Sequence, residues 1–228
     1  MNILIFGATG MVGQGVLREC LTASDVSRVT TVGRSSVPQQ HPKLRQFVHA
    51  DLMNLTALQP HLSDCDACFF CLGVSSSGLT EQAYRHLTHD ITLAVANSLS
   101  KWNPQMRIVY VSGSGTDSTE QGSSMWARVK GMTENDLLQL PFAGVYLFRP
   151  GVIQPLHGIQ SKTAAYRWAY MLTKPLLPLA RALFPNSILS TQDMGQAMLN
   201  VARHGGDLHV LEPRDIALLA RQSGNIMP

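Results

Sequence analysis

The chain has 228 residues, of which 45% are apolar and 14% charged, which is too apolar for an intrinsically disordered protein. At about 150 residues per domain, we expect one domain spanning residues 1–228. The net charge of +3 comes from scattered Lys and Arg residues rather than a block of like charges, which argues against nucleic-acid binding.

The N-terminus runs from Met1-Asn2 straight into the apolar residues 3–6. It lacks a basic segment followed by an apolar core of about 7–15 residues, as a signal peptide would have. No uninterrupted run of about 18 apolar residues occurs elsewhere. We therefore expect a cytoplasmic protein without a membrane span.

Strand-like and helix-like patterns alternate along the first 150 residues. Strands apolar on both faces that alternate with helices predict a parallel sheet covered on both sides. The fold class is therefore α/β, a doubly wound parallel sheet of Rossmann type. The predicted strands are 3–6, 29–32, 46–49, 67–72, 107–112 and 144–148, and the predicted helices are 11–21, 55–62, 80–102 and 123–140.

After Pro150 the pattern changes. Residues 1–155 are predicted to form the nucleotide-binding core, and residues 156–228 a small helical C-terminal substrate or lid region. Residues 163–184 are rich in aromatics and Leu but contain Pro175 and Pro178, which predicts two helices with a bend. They suit a wall over an apolar substrate pocket, a homodimer or membrane-surface contact, or simple packing on the sheet edge. A helix at 191–204 and a last strand at 208–211 follow.

Cys65, Cys68 and Cys71 lie close together in the sequence and suggest a metal site. On a strand, however, Cys65 and Cys71 would face one way and Cys68 the other. We therefore expect no metal, and interpret the three thiols as small buried apolar groups in a reducing compartment.

A glycine-rich loop at residues 7–13, with the sequence GATGMVG, follows the first strand and opens the first helix. In this context glycines allow a tight turn and a close approach to a pyrophosphate, which the helix N-terminus attracts. The predicted cofactor-binding residues here are Gly7, Thr9, Gly10, Met11, Val12 and Gly13.

The second strand is followed by Arg34 and Ser35, where an NAD site usually has an acidic residue. An Arg suits a 2′-phosphate, so we expect NADP(H). Asp51 and Leu52 follow the third strand. Asp51 either accepts from the adenine amino group, with Leu52 against the ring, or caps the next helix.

The fourth strand leads into a loop that begins Leu72-Gly73 and continues through Ser75 to Gly78. Ligands of open α/β sheets bind beyond the carboxyl ends of the strands. We expect Leu72 and Gly73 to contact the cofactor and Ser75 to lie on the substrate side.

Together these features resemble the short-chain dehydrogenase/reductase superfamily. More narrowly, they resemble its atypical epimerase/dehydratase-like branch, related to the Tat-interacting-protein oxidoreductases. The resemblance covers residues 1–155 well and the rest loosely. It is carried by GATGMVG at 7–13, VGR at 32–34, CLG at 71–73, YVSG at 110–113, RVKG at 128–131 and FRPG at 148–151.

The resemblance implies a reactive site of a Ser, a Tyr and a Lys four residues after the Tyr. Ser112 matches the Ser that orients the substrate oxygen, and Lys130 matches the Lys that binds the nicotinamide ribose. Trp126 stands at the Tyr position, and an indole N–H donates without titrating usefully. Pro150 and Val152 are implied to contact the carboxamide end of the cofactor.

Three explanations for Trp126 stay open. Another residue supplies the proton, the candidates being Tyr84, Tyr110, Ser114 and Asp117; or the substrate needs only hydride, with water as the acid; or the protein binds NADP(H) without turnover. His86 and His89 share a helix face, which we interpret as a solvated surface rather than a metal site.

We therefore expect an NADPH-dependent oxidoreductase that acts on a small, partly apolar carbonyl-type substrate, with Ser114 and Trp126 on the substrate side. One alternative is a non-catalytic NADP(H)-binding regulatory or redox-sensing protein. The other is a nucleotide-sugar epimerase/dehydratase-like enzyme, which the missing Tyr disfavours.

Overall fold

A seven-stranded parallel sheet forms the centre of the molecule in a computed structural model that describes residues 1–159 and 187–222. The strands of this sheet are β1 (Asn2–Phe6), β2 (Arg28–Gly33), β3 (Leu44–Val48), β4 (Ala67–Phe70), β5 (Arg107–Val111), β6 (Gly144–Phe148) and β9 (Val210–Leu211). Their order in the sheet is β3-β2-β1-β4-β5-β6-β9. The predicted doubly wound α/β fold is confirmed.

Helices connect these strands and cover both faces of the sheet. They are α1 (Met11–Thr22), α2 (Gln59–Leu62), α3 (Glu81–Arg85), α4 (Ile91–Trp102), α5 (Met125–Leu138), α6 (Thr191–His204) and α7 (Pro213–Arg221). A short 3₁₀ helix at Thr56–Leu58 precedes α2, and a π-helix at His86–Asp90 joins α3 to α4.

The strand order reverses at β1, which fixes the place of the binding crevice. Ile3 in β1 pairs with Val29 of β2 on one side and with Ala67 of β4 on the other. The connections leaving β1 and β4 therefore diverge beyond the carboxyl ends of these strands. Open α/β sheets bind their ligands at such a reversal point.

Two apolar clusters fill the two sides of the sheet, and the cysteines divide between them. Phe69 and Cys71 pack on the side that holds α1 and α6, whereas Cys68 and Phe70 pack on the side that holds α4. Our prediction that Cys65 faces the same way as Cys71 is wrong, because Cys65 precedes β4 and turns into the cluster that contains Cys68.

Helix α6 crosses α1 at unusually close range. A β-carbon at Gly15 would lie 2.5 Å from the Thr191 side chain, and one at Gly195 would lie 2.6 Å from the Glu19 side chain. Helix α6 is therefore packed directly on α1.

The predicted helix at 80–102 is interrupted by a π-helix, so the residues that it buries differ from those of a regular α-helix. The π-helix His86–Asp90 turns the chain relative to a regular α-helix. As a result Leu87 is 39% exposed, whereas Thr88 and His89 are buried.

Three elements were not predicted. Strands β7 (Val152–Gln154) and β8 (Ile188–Ser190) pair as a separate parallel two-stranded sheet, and α7 follows β9. The helices predicted at 163–184 lie outside the described residues. Within the described part of the chain, no helix is long and apolar enough to cross a membrane.

Candidate cofactor and active site

The glycine-rich loop turns tightly at the end of β1, and only glycine fits at two of its positions. Gly7 has φ +80, and a β-carbon there would lie 2.6 Å from the backbone of Cys71. A β-carbon at Gly13 would lie 2.1 Å from Gly7 O. The turn therefore brings the β1 and β4 ends and the first turn of α1 together, as a pyrophosphate loop requires.

The N-terminus of α1 is open to an anion. Gln14 N–H closes the first turn by donating to Gly10 O at 2.9 Å, so the N–H groups of Met11, Val12 and Gly13 precede the first intrahelical bond. The Gly10 cap contributes no side chain, and the first turn contains no acidic residue. Free donors and the positive end of the helix dipole favour a phosphate here.

A cleft of ≈ 380 Å³ opens beside this loop at the reversal point of the sheet. It brings together eight of the predicted cofactor-binding residues, drawn from the ends of four elements: Gly7, Thr9, Gly10, Arg34, Asp51, Leu52, Leu72 and Gly73. It also contains seven residues that were not predicted to bind the cofactor: Ala50, Met53, Cys71, Val74, His86, Leu87 and Ile91. Two of them, His86 and Leu87, belong to the π-helix, whose irregular turn a regular helical pattern does not predict.

Arg34 is exposed at the mouth of the cleft, directly after β2, and Ser35 is exposed beside it. Leu52 is buried against the core while lining the cleft. Asp51 does not cap the following helix, which removes the alternative that we left open. Its Oδ1 instead accepts from Met53 N–H at 2.9 Å, a local turn that fixes the carboxylate at the cleft.

Cys71 also lines the cleft, but its thiol is a poor nucleophile. Burial raises the pKa of Cys71 to about 12. Because the thiolate is the nucleophilic form, this residue acts as an apolar wall rather than as a redox centre.

A second group of residues lies at the carboxyl end of β5. Ser112 N–H donates to Phe148 O at 2.7 Å, and Ser114 N–H donates to Pro150 O at 2.9 Å, so the loop after β5 is fixed to the end of β6. Thr116 donates its hydroxyl proton to Gly113 O, and Ser112 Oγ lies 2.9 Å from Thr116 Oγ1. Because Thr116 has a single proton, Ser112 is the donor and must rotate to donate to a substrate.

Lys130 extends from the middle of α5 into the space beneath this loop. Its Nζ donates to Tyr110 Oη at 3.1 Å and to Val111 O at 3.0 Å. The side chain is buried, and this burial lowers the pKa of Lys130 to about 8, against a smaller raising effect of Glu134. A lysine pKa displaced this far toward neutral pH is a feature of many reactive sites, and at pH 7 the ammonium form still predominates.

Glu134, one turn after Lys130, is paired with Arg149 below the site. The Arg149 guanidinium binds both carboxylate oxygens of Glu134, and its Nη2 donates to Ser118 Oγ at 2.5 Å. Glu212, which caps α7, lies 3.5 Å from Arg149. One cation thus links α5, the loop after β5, and the last described helix.

Trp126 lies in the first turn of α5, half-buried, with its ring against the loop that follows Ser112. A β-carbon at Gly113 would lie 3.7 Å from Trp126 Cζ3, and one at Gly115 would lie 3.6 Å from Trp126 Cη2. Trp126 and Lys130 are four residues apart and so share one face of α5.

The four alternative proton donors differ in their burial and in their hydrogen bonds. Tyr84 and Tyr110 are buried, and desolvation raises the pKa of both phenols. Asp117 accepts from Thr119 and from Gly122 N–H, and the Thr119 hydroxyl is the first cause of its lowered pKa, so it is a weak acid source near neutrality. Ser114 is exposed on the loop but carries an ordinary hydroxyl.

Our interpretation of His86 and His89 as a solvated face is wrong for His89. His89 is buried, with Nδ1 2.8 Å from Asp90 Oδ1 and Nε2 2.7 Å from Asp136 Oδ2. The π-turn moves His89 inward to join α4 to α5. Among residues 1–159 and 187–222, no group of three His, Cys, Asp or Glu side chains is arranged to hold a metal ion.

Two further predicted residues, Ser75 and Val152, are not among the residues that line the cleft. Ser75 is exposed, and its Oγ accepts from Ser77 N–H at 3.2 Å, which shapes the loop after β4. Val152 is 50% exposed on β7. The functional contacts that sequence reasoning missed are Thr116 beside Ser112 and the Glu134–Arg149 pair, since neither follows a local spacing rule.

Comparison with known proteins identifies related chains. The profile described as the NAD dependent epimerase/dehydratase family matches residues 3–124. The fmp52 protein of Aspergillus clavatus is 30% identical over 160 residues, which is 67% of this chain and 66% of that protein. The chain therefore spans less than two thirds of the length of this relative. Rat HTATIP2 is 24% identical over 227 residues, which is 94% of this chain and 90% of that protein.

Among solved structures, the WbmF enzyme of Bordetella bronchiseptica in complex with NAD+ matches with a TM-score of 0.67 and 17% identity. The match covers 95% of this chain and 76% of that one, and it shows a shared fold. The expected cytoplasmic location is contradicted, because the fungal relatives are named as mitochondrial proteins. The expectation rested on a missing signal peptide, which bears only on the secretory route.

Proposed function

The chain belongs to the NAD dependent epimerase/dehydratase family, and from this premise we propose that it is an NADPH-dependent oxidoreductase. Its proposed substrate is a small, partly apolar molecule with a carbonyl-type acceptor group. The nicotinamide cofactor is common to the family, whereas the preference for NADPH and the reaction are our proposal for this chain.

The observation that carries the proposal is the position of Arg34. This guanidinium lines the same cleft as Gly7, Thr9 and Gly10, at the end of β2. The neighbouring carboxylate of Asp51 is already engaged with Met53 N–H. A guanidinium fork binds two phosphate oxygens at once, so Arg34 suits a ribose 2′-phosphate better than a free 2′-hydroxyl.

The loop before α1 supports a pyrophosphate in the same cleft. A side chain at Gly13 would occupy the space beside Gly7 O, and the open N–H groups of the first turn suit phosphate oxygens. Leu52, Leu72 and Ile91 would provide an apolar surface for the adenine ring. Shape, charge and donor set all fit a dinucleotide.

The cofactor would supply the hydride when bound, and the residues at the end of β5 would act on the substrate. Ser112 would turn its hydroxyl from Thr116 to the substrate oxygen. Lys130 would contribute positive charge at the nicotinamide ribose. It donates to Val111 O at the end of β5 and lies on the same face of α5 as Trp126, so it is on the side of the helix that faces the site. Pro150 and Val152 would border the carboxamide end, and Ser75 and Ser114 the substrate.

A second candidate function is that of a non-catalytic NADP(H)-binding protein. It is favoured by Trp126. The indole N–H of this residue donates a hydrogen bond but does not exchange its proton, whereas a phenol at the same position would do so. Such a protein would sense or sequester the cofactor without consuming it.

Turnover separates the two candidates. The purified chain is mixed with NADPH and a panel of aldehydes, ketones, enones and quinones, and the loss of the nicotinamide absorbance is followed. Oxidation that depends on an acceptor and falls at least about tenfold in Lys130→Ala supports the oxidoreductase, since hydrogen bonds to charged groups contribute about 1.5–3 kcal/mol. NADPH binding without oxidation by any acceptor contradicts it and supports the binding protein.

A further inference from the structure

The indole of Trp126 packs on the loop that follows Ser112. Its benzo ring lies against the backbone of loop 112–115, within 3.6–3.7 Å of where β-carbons would stand at Gly113 and Gly115. Because both positions are glycine, no side chain separates the ring from the loop. The indole is only half-buried, so part of its surface remains open.

Two hydroxyl-bearing residues belong to the loop on which the ring packs. Ser112 and Ser114 flank Gly113, and Ser114 is exposed. A flat apolar ring on a serine-containing loop suits a ligand that is itself flat and apolar with oxygens at its edge. Aromatic rings gain from offset stacking in addition to the burial of their area.

We propose that Trp126 and loop 112–115 form a stacking surface for a planar conjugated ring, and that the substrate is a quinone-type molecule. This inference rests on the proposed oxidoreductase function and names its substrate class. It gives Trp126 a binding role at the position where related enzymes have an acid.

The chemistry of the surrounding groups agrees with this substrate class. An isolated aldehyde or ketone that accepts a hydride becomes a localised alkoxide and needs a proton donor at that moment. Tyr84 and Tyr110 are buried, and two of the three Lys130 donors are engaged with Tyr110 and Val111. A quinone spreads the new charge through its ring and needs no such donor.

The overall reaction balances without a proton from Trp126. The quinone gains the hydride of a reduced nicotinamide, with both electrons of its C–H bond, and becomes a hydroquinone monoanion. One proton from solvent completes the hydroquinone, and the nicotinamide is left oxidised.

The first test measures binding rather than turnover. Isothermal titration calorimetry compares 1-naphthol with its saturated counterpart decahydro-1-naphthol on the NADP+-saturated full chain. We expect 1-naphthol to bind at least about tenfold more tightly, with the preference lost in Trp126→Ala and largely kept in Trp126→Phe. Unchanged NADP+ affinity shows that each variant is folded. Equal binding of the two compounds, or a preference that persists in Trp126→Ala, overturns the proposal.

The second test compares acceptors of one skeleton. With NADPH, we expect 1,4-naphthoquinone to be reduced at least about tenfold faster than 1-tetralone, and Trp126→Tyr to raise the rate with 1-tetralone by about tenfold or more. Faster reduction of 1-tetralone by the unaltered chain overturns the quinone assignment alone. No reduction of any acceptor, despite NADPH binding, overturns the oxidoreductase function itself.

Discussion

The ammonium nitrogen of Lys130 lies 3.1 Å from the phenol oxygen of Tyr110, so Lys130 pairs with a tyrosine of β5 rather than with a residue of its own helix. The pair is buried, and Lys130 also donates to the carbonyl of Val111, the residue before Ser112. Tyr110 accepts a hydrogen bond there, but its burial leaves it no access to a substrate. The lysine thus keeps a phenol partner that cannot act as the acid.

The buried ammonium predicts a pH dependence of stability. Desolvation lowers the pKa of Lys130 from 10.5 to about 8 in the folded chain. Between these values the unfolded chain binds more protons, so stability should rise with pH, by about 3 kcal/mol in total at 1.36 kcal/mol per pKa unit. Urea unfolding of the wild type and Lys130→Met from pH 7 to 10.5 measures this.

The contribution of Lys130 is the difference between these two proteins at each pH. We expect the wild type to gain stability relative to Lys130→Met as the pH rises. Lys101→Met, which removes an exposed lysine near the end of α4, serves as the control and should run parallel to the wild type. Parallel curves for Lys130→Met would contradict the buried ammonium.

The Glu134–Arg149 pair predicts a large effect from a single substitution. Glu134 is 1% exposed, so Arg149→Met leaves a buried carboxylate without its partner. We expect a loss of about 3–5 kcal/mol in the free energy of unfolding. Arg128→Met removes the more exposed pair with Glu81 and should cost less than about 1 kcal/mol. Similar losses in the two variants would show that burial of the first pair is not decisive.

The glycine loop predicts a substitution that damages binding and folding together. Alanine at Gly13 would place a β-carbon 2.1 Å from Gly7 O, so the turn must open. We expect Gly13→Ala to cost about 1–3 kcal/mol of stability and to abolish detectable NADPH binding in calorimetry. Gly206→Ala, whose β-carbon would meet nothing closer than 3.9 Å, is the matched control. NADPH binding retained in Gly13→Ala would place the pyrophosphate elsewhere.

The order of strands and helices could be predicted from sequence because it follows local rules. Buried strands give continuous apolar runs, and helix α6 at Thr191–His204 was predicted to the residue from its periodicity. The glycine spacing also predicted the tight loop at residues 7–13, where β-carbons at Gly7 and Gly13 would collide with neighbouring backbone. These features depend on neighbours within a few residues along the chain.

The errors arose where distant residues decide the outcome. The π-turn at His86–Asp90 is stabilised in part by the contact of His89 with Asp136, 47 positions along the chain, and it exposes Leu87. The burial of Tyr110 and the pairing of Glu134 with Arg149 likewise depend on tertiary contacts. Strands β7 and β8 pair across a long separation and are three residues each, too short for a periodic signal.

The central claim is an NADPH site built around Arg34, and titration calorimetry with NADPH and NADH tests it most directly. We predict tighter binding of NADPH, and a loss of about tenfold to hundredfold in Arg34→Ala for NADPH alone, since hydrogen bonds to charged groups contribute about 1.5–3 kcal/mol. Arg45→Ala, on the exposed surface of β3, should leave both affinities unchanged. Equal affinities for the two cofactors in the wild type, or equal losses for both in Arg34→Ala, would contradict the account.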